Sequence, residues 1–151
     1  MAISPNTNFT TGQVLTATQA NQWPRGIMAY GTRDSTAGIT TTKSDMSISV
    51  TFTAEANRYY KYTFYAYAAN NTTAATLAFY LANPSNTDLY VLNMYVPGGA
   101  YYTYAMLTCI RTETAGSVTR KIRANTTAGS GSMYADATNV AYLLVEDIGP
   151  A

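Results

Sequence analysis

The chain has 151 residues, 47% hydrophobic and 11% charged, with a formal net charge of +1. That is one domain's worth of sequence, long enough to bury a full core without disulfides. The absence of histidine and the single cysteine remove the commonest general base and metal ligand, an internal disulfide and a multi-cysteine zinc site; near-neutrality argues against nucleic-acid binding by bulk charge.

No stretch approaches the roughly eighteen apolar residues of a membrane span. Pro5, Asn6, Thr7 and Asn8 stand where a signal peptide would have a basic start and an apolar run, so neither membrane insertion nor signal-directed export is expected. Residues 1–8 read as a polar, extended arm. Thr16-Ala17-Thr18-Gln19 fits a capping box and predicts a short helix over 17–22. Pro24 stops it, because the residue before a proline is pushed out of the helical region. Trp23, the one tryptophan, marks the boundary. Residues 1–25 therefore read as an arm with one short helix, and 26–151 as a β domain.

From Gly26 onward the pattern is strands and turns. Residues 26–32 form a short apolar run. Met46, Ile48, Val50 and Phe52 alternate with Ser47, Ser49 and Thr51, a period of two. Further strands are predicted over 58–69, 76–82, 89–96, 101–112, 117–125 and 140–147. Asn83-Pro84-Ser85-Asn86, Pro97-Gly98-Gly99, Ala115-Gly116 and Gly129-Ser130-Gly131-Ser132 have the chemistry of connections. This spacing predicts an all-β fold, an antiparallel β-sandwich or jelly roll.

A strand covered on one side should be polar on the other. Residues 58–69 instead place Tyr60, Tyr62, Phe64, Ala66 and Ala68 on one face, and Tyr59, Lys61, Thr63, Tyr65 and Tyr67 on the other. Residues 101–112 set Ala105, Leu107 and Cys109 against Tyr102, Tyr104, Met106 and Ile110, and in 140–147 Tyr142 and Leu144 oppose Leu143 and Val145. One sandwich cannot bury both faces within itself. The second faces are expected to meet another subunit in a homo-oligomer, with Tyr59, Tyr65, Tyr67, Tyr102 and Tyr104 as the contact residues. Two alternatives stay open: tyrosine as a strand residue tolerant of partial exposure, and stacking of sugars on exposed rings.

Little else points to chemistry. Neighbours on a strand face opposite ways, so Glu146-Asp147 cannot converge as a glycosidase pair; solvated or capping charges are expected there. Arg111, Arg120, Lys121 and Arg123 form the densest basic set, expected as solvated, edge-blunting charges rather than a nucleic-acid contact. Cys109 lies in an apolar strand and is expected to be inert. No phosphate loop, metal cluster or serine-centred triad is present, so no catalytic residue, cofactor or metal is assigned.

Two ends of the chain resemble a known group. Residues 9–21, Phe9-Thr10-Thr11-Gly12-Gln13-Val14-Leu15-Thr16-Ala17-Thr18-Gln19-Ala20-Asn21, continuing to Pro24-Arg25-Gly26, are similar to an N-terminal pattern in small virion proteins of tailed bacteriophages. Leu143-Leu144-Val145-Glu146-Asp147-Ile148-Gly149-Pro150 is similar to their usual ending, and the strand entry Ala56-Asn57-Arg58-Tyr59-Tyr60-Lys61-Tyr62 shares their manner. The resemblance implies a non-enzymatic structural protein of the virion, assembled in the host cytoplasm and released by lysis. It also implies a trimer and partners such as the major capsid protein. The arm would attach the protein, with Phe9, Val14, Leu15 and Trp23 as anchors. No heptads precede the β domain, as a fibre shaft would require, so a capsid decoration protein is expected; the alternative is a tail or tail-fibre tip binding a host surface glycan.

Overall fold

The computed structural model describes residues 14, 16–21, 23–70, 73–99 and 101–151. One short helix, α1 (Ala17–Asn21), precedes ten strands: β1 (Gly26–Arg33), β2 (Ala37–Ile39), β3 (Ser44–Ala54), β4 (Arg58–Asn70), β5 (Ala75–Ala82), β6 (Asp88–Val96), β7 (Tyr101–Thr112), β8 (Gly116–Thr126), β9 (Gly131–Tyr134) and β10 (Ala141–Pro150). They make two antiparallel sheets, an all-β sandwich of the jelly-roll kind, as the alternation predicts. In the first sheet β10 and then β9 line one edge of β4, β7 takes the other, β1 flanks β10 and β2 flanks β9. The second sheet runs β3-β8-β5-β6.

The core follows from the period of two. β3 buries Met46, Ile48, Val50, Phe52 and Ala54 and turns its serines and threonines outward. β4 buries Tyr60, Tyr62, Phe64, Ala66 and Ala68. The sheets meet where Phe52 packs on Tyr60, ring centroids 5.0 Å apart, and Phe64 on Phe79 at 5.3 Å. β1 crosses β3 so closely that a Cβ on Gly31 would fall 2.2 Å from the Ser49 carbonyl oxygen; only glycine fits there.

The helix is one turn, closed by the Ala20 amide donating to the Thr16 carbonyl at 3.0 Å; the Gln19 half of the predicted capping box lies outside the described side chains. Two expectations are corrected. The last strand runs on to Pro150 rather than stopping at Asp147. The predicted connection at 129–132 is partly strand, because Gly131–Tyr134 pairs with both β2 and β4.

Candidate functional site

The outward face of the first sheet is aromatic. Tyr65 on β4 stands between Tyr142 on β10 and Met106 on β7, and Tyr67 between Tyr134 on β9 and Tyr104 on β7. The rings form a chain: Tyr30 to Tyr142 at 5.6 Å, Tyr142 stacked on Tyr65 at 5.6 Å, Tyr65 to Tyr104 at 5.7 Å, and Tyr104 to Tyr67 at 4.4 Å. The Tyr67 and Tyr104 hydroxyls share a hydrogen bond of 2.5 Å, which pushes the Tyr67 phenol up to about 12. Partial loss of hydration, with Tyr104 and Tyr142 beside it, raises Tyr65. Tyr104 and Met106 remain 58% and 63% exposed, so the stack is an open surface. The second sheet differs. Its outward side carries Ser49, Thr51, Thr53, Lys121 and Arg123 over β3 and β8, with Thr51 and Thr119 hydrogen-bonded at 2.8 Å, and Tyr80, Val91 and the exposed Tyr95 over β5 and β6.

The predicted contact tyrosines divide. Tyr65, Tyr67 and Tyr104 come together. Tyr102 turns to Tyr134, edge to face at 5.8 Å. Tyr59 lies opposite Thr112, about 26 Å along the strand from Tyr67. Tyr30, Tyr134 and Tyr142 join the surface without having been singled out as contacts. Of the predicted anchors, Phe9 and Leu15 lie outside the described residues; Val14 is exposed and Trp23 is 43% exposed.

Beside Tyr67, a cavity of 440 Å³ is lined by Tyr67, Tyr102, Tyr134 and Asn139. The turn below it is built on Asp136, whose carboxylate accepts from the Tyr134 hydroxyl at 2.6 Å and from the amides of Thr138 and Asn139 at 2.8 and 2.7 Å. These donors, the Tyr134 hydroxyl first, hold the Asp136 carboxyl down at about 2. Sequence reasoning passed over Asp136-Ala137-Thr138-Asn139, although an aspartate followed by threonine and asparagine is a turn signature.

The charged residues are used internally. Buried Glu113 accepts from the Tyr62 hydroxyl at 2.7 Å, pairs with Arg120, and lies 3.0 Å from Arg111 Nε, which points past it as an ion contact. Burial, and then that bond to Glu113, push the Tyr62 phenol far up. Lys121 pairs with Asp45 and Arg123 with Asp88. The basic set is therefore locally neutralised, and Arg120 points into the sandwich rather than to solvent. Asp147 also departs from expectation. It is buried and paired with Arg58, whereas Glu146 points the other way and pairs with Lys61. Burial raises the Cys109 thiol, as expected of an inert cysteine. Among the described residues no group of three potential ligands could hold a metal ion.

No protein-family model and no curated protein matches the chain by sequence. By structure it is similar to the Eiger TNF of S. frugiperda, at 10% identity and a TM-score of 0.55, over 84% of this chain and 96% of that one. It is also similar to a chain of the T13 IBDV viral particle, at 12% identity and a TM-score of 0.50, over 97% of this chain and 41% of that one. A looser likeness, at 14% identity and a TM-score of 0.32, joins it to the tailspike protein 4 of bacteriophage CBA120, over 75% of this chain and 18% of that one. At these identities the first two likenesses are of fold, and the chain has the two-sheet jelly-roll architecture they share.

Proposed function

We propose that this chain is a non-enzymatic structural protein of a bacteriophage particle, an oligomer that decorates the head and is held there by residues 1–25. The observation that carries this reading is the stacked aromatic face of the first sheet. A stacked row of tyrosines with Met106 and Ile110 open beside it is more than a monomer ordinarily leaves in water. Tyrosine is favoured at interfaces because it brings a large rigid ring and a polar tip. The contact set centres on Tyr65, Tyr67 and Tyr104, with Tyr59 and Tyr102 toward its ends. Three copies are expected from the resemblance of the two chain ends to small phage virion proteins. The polar outward side of β3 and β8 is then left to solvent. Phe9, Val14, Leu15 and Trp23 would dock on a neighbouring virion protein such as the major capsid protein.

Quantitative mass spectrometry of purified particles tests the placement. Copy numbers near that of the major capsid protein support head decoration; a few to tens of copies mean a tail component. Absence from particles contradicts a virion role.

A further inference from the structure

We propose that the cavity bounded by Tyr67, Tyr102, Tyr134 and Asn139 binds a neutral sugar. At 440 Å³ it falls within the range of small-molecule sites. Its walls are not a flat patch: the Tyr102 and Tyr134 rings meet at 75°, forming a corner. The weakly positive C–H face of a pyranose suits the negative face of such a ring, and the second ring closes the side of the sugar.

The corner is set before any ligand arrives. Asp136 fixes Tyr134 through its hydroxyl at 2.6 Å and Asn139 through its backbone amide at 2.7 Å, with longer contacts of 3.3 and 3.4 Å to the Asn139 side-chain nitrogen. Asp136 thereby spends its acceptors on the protein and acts as a positioning residue. The Tyr102 hydroxyl makes no hydrogen bond among the described residues, the Tyr134 hydroxyl can still accept, and the side-chain carbonyl of Asn139 is available to a sugar hydroxyl. Among the described residues no lysine or arginine lines the cavity, so none of them would balance a sialate or phosphate group, and the ligand class is an uncharged hexose or N-acetylhexosamine. The inference does not depend on head or tail placement. Tyr67 and Tyr102 belong both to this cavity and to the proposed contact set, whereas Asn139 belongs to the cavity alone, so an Asn139 variant separates sugar binding from self-association.

Saturation-transfer NMR on the full chain with maltose, lactose, cellobiose, diacetylchitobiose and sialyllactose tests it. Transfer to the ring C–H protons of at least one neutral disaccharide is expected. Tyr102→Ala and Asn139→Ala should each weaken that binding by about tenfold, and Asn139→Ala should leave the oligomeric mass unchanged. No transfer to any neutral disaccharide, equal binding in both variants, or a preference for sialyllactose over lactose would overturn the proposal. A parent that binds the disaccharide as a monomer would count against self-association and leave the sugar site standing.

Discussion

Arg58 and Asp147 form a buried, two-pronged ion pair, Nε to Oδ2 at 2.5 Å and one terminal nitrogen to Oδ1 at 2.8 Å. The same guanidinium donates to the carbonyls of Asn21 at 2.5 Å and Trp23 at 2.6 Å, and Asp147 also accepts from the Gly149 amide at 2.9 Å. One side chain thus joins the root of the N-terminal arm, the start of β4 and the end of β10.

Removing one partner of a buried pair leaves the other charged and without compensation, a cost of about 3–5 kcal/mol. Arg58→Ala should therefore lower unfolding free energy by roughly 3 kcal/mol and speed proteolysis after Arg25. Arg58→Lys keeps the charge but loses the planar fork, and should fall between. Denaturant unfolding and limited trypsin digestion check both; Arg58→Ala as stable as the parent would refute the clamp.

The tyrosine face carries a spectroscopic signature. The hydrogen bond to Tyr104 raises Tyr67 to about 12, so the neutral phenol is favoured in the fold. Its stabilisation is full below the ordinary tyrosine value near 10 and is lost as pH rises through about 12. Ultraviolet titration of tyrosinate should show a late-ionising fraction that moves to lower pH in Tyr104→Phe.

At the other end of the scale, the Asp136 carboxyl is held at about 2 by Tyr134 and two backbone amides. The turn under the cavity should keep its form from neutral pH down to the unfolded carboxylate range near 4, and loosen as pH falls through about 2. NMR chemical shifts of the Thr138 and Asn139 amides, followed against pH, should report one transition there; Asp136→Ala should abolish it and weaken sugar binding.

The faces of β4 and β7 were legible because the strand period is two: every residue assigned inward on β4 is buried. Which rings touch was not legible, because Tyr142 meets Tyr65 only through a pairing between strands distant in sequence. The same distance hid the partner of Asp147, an acid near the chain end that looks solvated until Arg58, 89 positions away, is placed beside it. β2 is three residues long and β9 four, too short for a period to show. The Gly-Ser composition leading into β9 spoke for a loop, so the Tyr134 wall of the cavity was passed over.

The attachment role of residues 1–25 makes its own prediction. Buried aromatic anchors dominate interfaces, so Trp23→Ala should cost about 2 kcal/mol of docking to particles. Deleting residues 1–22 should leave a folded β domain that no longer joins them. Full particle binding by the truncated chain would remove the arm from the account.

Self-association through the tyrosine face is the central claim, and light scattering on the purified chain at micromolar concentration tests it most directly, comparing the parent with Tyr104→Lys. The account predicts a particle of three times the 16.3 kDa chain mass for the parent. It predicts a folded single chain for the variant, because a lysine in the middle of the ring stack would have to lose its water on contact. A parent that is monomeric, or an oligomer that Tyr104→Lys leaves intact, would contradict it.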